Sequence, residues 1–288
     1  MLGQGQYWTE NVPRPDEAVF NALIAICIRR DANWYEAVGT AFVVGIGDTY
    51  ARAISAAHVF DHIYHQQNPL AVERHTVFDA LHPLPQEVDL DSEKVFGFIF
   101  RDGRTHRLKF SELFYERRSD FAIFKVAKTK PDSRPIFTHN IRMDAELPMQ
   151  GIAIEGIGFK HMSFSPHMDG ATLKVKFEAC LTRRLGTVSE VHPEGHMRLK
   201  TPCATATFPI FGGMSGGPVL RLETGQPPAA FGILSSDFEE DIEEKYDYTK
   251  CGTTNIAKLP LEWIVDEQGE KVAIFKYVSD EIGQSALA

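Results

Sequence analysis

The chain has little of what would send it out of a reducing compartment or into a membrane. Its four cysteines, Cys27, Cys180, Cys203 and Cys251, stand far apart among 288 residues and form no C-x-x-C pair. That spacing suits neither a disulfide framework nor a zinc ribbon, so buried thiols in a reduced compartment are expected. The opening residues Met1-Leu2-Gly3-Gln4-Gly5-Gln6-Tyr7-Trp8 lack the basic start and apolar stretch of a secretion signal. No apolar run nears the roughly 18 residues of a membrane span, and a soluble, cytoplasmic protein without a membrane partner is expected. A basic face is missing too. Thirty lysines and arginines stand against 39 aspartates and glutamates, a formal net charge of −9, which argues against a nucleic-acid partner because phosphate binding needs clustered cations.

What is present is apolar content and one chemically loaded turn. At 43% hydrophobic residues the chain can bury one large core or two modest ones. The turn is Phe211-Gly212-Gly213-Met214-Ser215-Gly216-Gly217-Pro218-Val219. A serine hydroxyl is a weak nucleophile near neutral pH, so it needs a base for its proton and N–H groups aimed at the oxyanion that forms. Glycines let the backbone aim such groups, here those of Gly213 and Ser215. A Gly-rich turn between strands has the same composition, so the serine alone decides little. Upstream, Ser55-Ala56-Ala57-His58 ends a strand on an imidazole, which titrates near neutral pH and can take and return a proton. Asp120-Phe121-Ala122-Ile123 puts a carboxylate at the mouth of an apolar strand, where it can accept the other ring N–H of His58. The order His, Asp, Ser is that of one known triad arrangement.

Together with Gly39-Thr40-Ala41-Phe42, these segments resemble the trypsin-like (chymotrypsin-fold) serine peptidases over a span from about Asn21 to about Ile264. The resemblance implies an all-β fold of two six-stranded antiparallel β-barrels with a few short helices. It divides the chain into an arm (1–20), a first barrel with His58 and Asp120 (21–130), a crossing (131–148), a second barrel with Ser215 (149–265) and a C-terminal extension (266–288). By the same resemblance, Gly213 and Ser215 donate the oxyanion-hole N–H groups. Pro209 and Ile210, after Phe208, form the base of the substrate pocket, with Ser235, Ser236 and Asp237 on one wall and Gly252 to Thr254 on the other. No cofactor is implied. Two departures stand out: Val59 replaces the cysteine that follows the histidine in secreted digestive members, and Met214 replaces the aspartate that precedes their serine. The second change removes the carboxylate that pairs with a new N-terminus after zymogen cleavage. The resemblance is therefore closer to the disulfide-free bacterial and viral branches.

Along the chain, β-branched runs and Gly or Asp-Gly turns read as strands at 22–28, 35–44, 50–56, 95–100, 105–110, 120–126, 151–159, 173–177, 184–191, 196–200, 219–222 and 231–236. A short helix is expected after His58, and Pro260 to Ile264 resembles the start of the family's closing helix. His58, His62 and His65 would share a helix face, but no H-E-x-x-H glutamate accompanies them, and His62 and His65 are read as solvated. The acidic run from Asp237 to Glu244 is read as a solvated face.

These features point to a serine endopeptidase acting on protein or peptide substrates. One rival is a peptidase-fold binding or scaffold protein without turnover. Another is a peptidase kept silent until an activating protein partner orders its loops. A pocket base without charge further suggests cleavage after small or medium apolar residues.

Overall fold

The computed structural model describes residues 9–11, 19–30, 35–69, 88–101, 104–129, 136–144, 146–169, 172–197, 199–222, 228–235, 254–259, 264–265 and 271–272. The first barrel begins after a single 3-10 turn, Phe20–Ala22. An initial strand, β1 (Thr9–Asn11), precedes that turn in the chain. Six strands follow: β2 (Leu23–Arg29), β3 (Tyr35–Ile46), β4 (Ala51–Ser55), β5 (Val95–Arg101), β6 (Arg104–Glu116) and β7 (Phe121–Lys128). They close in the order β2-β3-β4-β7-β6-β5, every pair antiparallel, so no sheet edge is left open. Inside, the Phe124 ring lies 5.1 Å from Phe60 and 4.9 Å from Phe110, the offset and edge contacts aromatic rings prefer. One helix, α1 (Ala57–Gln67), connects β4 toward β5 and seats Val59, Phe60 and Ile63 on the barrel.

The second barrel is built from β8 (Ala153–Asp169), β9 (Thr172–His192), β10 (Cys203–Ala206), β11 (Pro218–Arg221), β12 (Ala229–Ser235) and β13 (Thr254–Lys258). Its ring runs β8-β9-β10-β13-β12-β11 and closes through the β8–β9 pairing. β1 pairs with β9 on the edge away from β8, with Thr9 opposite Leu185 and Asn11 opposite Arg183. Strands of this barrel are apolar on both faces. Ala204, Phe231, Leu234 and Ile256 fill its interior, while their neighbours Cys203, Ile233 and Ala257 join the cluster that continues into the first barrel. The seam between the barrels is thus packed apolar surface, and the candidate site lies along it.

Four details depart from the sequence expectation. β8 does not stop at Phe159, and the strands expected at 173–177 and 184–191 are one. At 17 and 21 residues the two form a hairpin far longer than the usual strand of about 5 to 6. Its outer half survives because it rests on the first barrel: Phe177 sits 5.0 Å from Phe98 and 5.7 Å from Phe100, and Phe164 sits 5.4 Å from Tyr35. The segment 196–200 is a tight turn rather than a strand, held by mutual His196 and Leu199 backbone bonds at 3.0 Å. The two strands then wanting from the ring are supplied by β10 and β13, short and alanine-containing segments of weak β preference. Finally, Ile264–Val265 pairs antiparallel with Lys271–Val272, where a helix was expected. Residues 260–263 of that expected helix, residues 70–87 and the acidic run lie outside the described residues.

Cys27, Cys180 and Cys203 are free thiols, and Cys251 lies outside the described residues. Burial pushes the Cys27 thiol well above its ordinary range and that of Cys203 up to about 11. Both should therefore resist alkylation in the native chain and react only after unfolding, and reductant should leave the melting temperature unchanged. Mass spectrometry after native labelling and a melting curve with and without reductant check this. Modification of Cys203 in the folded chain, or a lower melting temperature on reduction, would contradict it.

Candidate active site

His58 does not end a strand: it lies in the first turn of α1. The helix opens on Ala56, which has no side chain to cap the exposed N–H groups. Asp120 supplies the cap from the mouth of β7, the strand paired with β4. Its main-chain carbonyl accepts the Ala57 N–H at 3.1 Å, and its Oδ1 accepts the His58 N–H at 2.9 Å. A carboxylate is favoured there by the helix dipole. The same carboxylate meets the His58 ring, with Nδ1 at 3.0 Å from Oδ1 and 2.9 Å from Oδ2. With the Nδ1 proton held by Asp120, Nε2 becomes the basic atom of the ring.

Asp120 reaches this position at a backbone φ of 51°, in the left-handed region that Asp tolerates better than most residues. Its N–H closes a turn onto the Arg117 carbonyl at 3.2 Å. Arg117 Nε in turn donates to Asp61 on α1 at 2.7 Å, tying the turn to the helix. Burial pushes the Asp61 carboxyl above the ordinary carboxylate range, with the Arg117 guanidinium opposing the rise.

Ser215 arrives from the second barrel. Gly213 and Gly216 take φ of 89° and 83°, values that glycine alone adopts without strain. At Gly216 a Cβ would also stand 2.1 Å from Ser55 Oγ and 2.8 Å from the Ala56 nitrogen, so the turn lies directly on the residues that lead into α1. Gly216 donates to the Leu234 carbonyl at 2.8 Å, Leu234 donates back to Gly217 at 2.8 Å, and the next residue is Ser235. Its hydroxyl donates to Asp120 Oδ2 at 2.5 Å. The Ser215 turn, Asp120 and His58 are therefore joined through one continuous set of hydrogen bonds. Among the described residues, the N–H groups of Met214, Gly216 and Gly217 donate to carbonyls within the chain, whereas those of Gly213 and Ser215 meet none. Ser215 itself keeps 7% of its surface exposed. The result is a hydroxyl and two uncommitted N–H groups at a small opening, the arrangement that acyl transfer needs.

A family model described as a trypsin-like peptidase domain matches residues 39–228. The chain belongs to the trypsin-like peptidase family. No curated protein matches it. A solved structure, the MamO protease domain from Magnetospirillum magneticum in its apo form, is similar over 84% of this chain and 93% of that one, at 15% identity and a TM-score of 0.46.

Within this trypsin-like peptidase domain the expected pocket residues fare unequally. Pro209 and Ile210 lie beside β13, where Thr254 Oγ1 donates to the Phe208 carbonyl at 2.5 Å. Ser235 needs correction: its side chain is fully buried and its hydroxyl is committed to Asp120, so it presents no side chain to a substrate. Ser236, Asp237 and Gly252 lie outside the described residues. The uncharged pocket base also needs correction, because the fully buried Arg184 donates through Nη1 to the Pro209 carbonyl and lies 4.1 Å over the Phe211 ring. Sequence reasoning missed it. Strand alternation separates Arg184 from Arg183, which pairs with Glu155, but nothing in the pair of arginines says which one faces inward. Met214, noted above as a departure from the secreted digestive members, fills its position as an apolar anchor, fully buried against Gly158. His62 is not simply solvated, since Nε2 pairs with Glu36 at 3.4 Å and holds that carboxyl below its ordinary range.

Asp120→Asn should fold, because the amide oxygen can still accept the His58 N–H, but it would hold the imidazole in the wrong tautomer. A loss of about 10⁴-fold in kcat is expected in a variant that still unfolds cooperatively. Turnover within tenfold of the parent would show that the carboxylate does not govern the ring.

Proposed function

We propose that the protein is a serine endopeptidase that hydrolyses peptide bonds of protein substrates through an acyl-enzyme. The observation that carries this reading is the shared carboxylate of Asp120, which fixes the Nδ1 side of His58 while tying down, through Ser235, the turn that presents Ser215. In the reaction, Ser215 Oγ attacks the scissile carbonyl carbon as its proton passes to His58 Nε2. The carbonyl oxygen becomes an oxyanion held by the N–H groups of Gly213 and Ser215. Collapse breaks the C–N bond, and the imidazolium gives its proton to the departing amine. Water then attacks the ester with His58 again as base, releasing the acid and restoring the serine. No cofactor enters the cycle.

Specificity follows from the pocket base. The buried Arg184 behind Pro209 keeps a positive charge near it, which disfavours a lysine or arginine in the pocket by like-charge repulsion and desolvation. Cleavage after small or medium apolar residues is expected in a peptide library, and dominant cleavage after Arg or Lys would overturn the pocket assignment.

A fluorophosphonate should label the parent chain at Ser215 and leave Ser215→Ala unlabelled. Ser215→Ala should keep its melting temperature and lose about 10⁴- to 10⁶-fold in turnover. Full turnover in that variant, measured on the same peptide pool, would remove the nucleophile from the proposal.

A further inference from the structure

Thr40 lies on β3 of the first barrel, fully buried, and every polar atom it has is engaged. Its N–H donates to the Ser215 carbonyl at 2.8 Å. Its hydroxyl donates to the Gly213 carbonyl at 2.7 Å and accepts the Phe159 N–H of β8 at 3.0 Å. Its carbonyl accepts the Ser55 hydroxyl at 2.7 Å. One residue thus joins β3, the end of β4, β8 and the nucleophile turn.

The effect on the turn can be followed peptide by peptide. The Gly213–Met214 peptide is pinned at both ends, its oxygen by the Thr40 hydroxyl and its N–H by the Phe211 carbonyl at 3.0 Å. The Ser215–Gly216 peptide is pinned at both ends as well, its oxygen by the Thr40 N–H and its N–H by the Leu234 carbonyl. Between them stands the Met214–Ser215 peptide, and before them the Gly212–Gly213 peptide, whose N–H groups are the two that meet no carbonyl among the described residues. A turn with four glycines is soft. Its seat at Met214 is apolar and gives no directional hold. Directional hold comes from hydrogen bonds: the Met214 carbonyl accepts the Gly217 N–H at 3.0 Å, and of the four bonds on the two flanking peptides Thr40 supplies two.

We propose, on the basis of the peptidase reading above, that Thr40 is a positioning residue. From the first barrel it fixes the direction of the Gly213 and Ser215 N–H groups on the second, so that the oxyanion site exists only when the two barrels are docked. It touches no reacting atom. Its hydroxyl matters because it donates and accepts at once, a pairing that serine reproduces and valine does not.

The test compares Thr40→Val and Thr40→Ser with the parent in three measurements: melting temperature, the rate of Ser215 labelling by a fluorophosphonate, and amide exchange across 211–217. Thr40→Val should be labelled about 10²-fold more slowly, the size of losing one oxyanion donor, with KM for a peptide substrate within about twofold. Its Met214 amide should exchange faster than in the parent, and Thr40→Ser should restore both rate and protection. In the parent chain itself, the Met214 and Gly216 amides should be protected while those of Gly213 and Ser215 exchange freely, a pattern that needs no variant to fold. Parent-like labelling and exchange in Thr40→Val, or equal exchange at all four amides in the parent, would overturn the inference and leave the peptidase reading standing. A parent chain that is never labelled would overturn the peptidase reading itself and the positioning role of Thr40 with it.

Discussion

The Asp120 carboxylate is the group on which the site depends. It caps a helix that has no cap of its own, holds the Nδ1 side of His58, and receives the Ser235 hydroxyl from the other barrel. A carboxylate that is only 2% exposed is costly to keep ionised unless donors surround it. Here the donors are the His58 backbone and ring and the Ser235 hydroxyl, and bonds of this charge-assisted kind are about twice as strong as neutral ones. Solvating the charge and positioning the imidazole are one act. The left-handed backbone at Asp120 is tolerable on the same ground, because several bonds over-determine the conformation.

Topology explains why the parts meet at the seam. The first barrel delivers His58 on α1 and Asp120 at the mouth of β7, and the second delivers Ser215 in the turn before β11 and Ser235 at the end of β12. The barrels share apolar surface around Ile233, Cys203 and Ala257, and the outer half of the β8–β9 hairpin lays Phe164 and Phe177 on the first barrel. Misplacing the barrels by about 1 Å would be enough to spoil an attack geometry. The nucleophile turn meanwhile sits on Met214, an apolar anchor, so its order depends on packing and neutral hydrogen bonds rather than on an ion pair.

Much of this was legible in the sequence. The segments around His58, Asp120 and Ser215 each combine a reactive side chain with a fixed local pattern, and most strands of the first barrel show as β-branched runs between turns. Other features left no mark. β10 and β13 are four- and five-residue segments whose pairing comes from their neighbours. The long hairpin exists because of Phe98 and Phe100, remote in sequence, so local periodicity could not extend it. Ser235 was placed on a substrate wall because alternation alone does not tell which face of an edge-of-site strand meets a carboxylate. Arg184, and the bonding of Thr40, became visible only with the carbonyls they meet, since hydrogen-bonding to a main chain across the fold leaves no composition or spacing to read.

If one carboxylate fastens both halves of the site, its partners must be energetically coupled, and a double-mutant cycle measures that without any assay of turnover. Unfolding free energies of the parent, Asp120→Ala, Ser235→Ala and the double variant give the interaction across the seam. A coupling of about 0.5 to 3 kcal/mol is expected for groups in direct hydrogen-bond contact. Additive losses, with no coupling beyond error, would mean that Asp120 and Ser235 stabilise the fold independently and that the carboxylate does not hold the two barrels' contributions together.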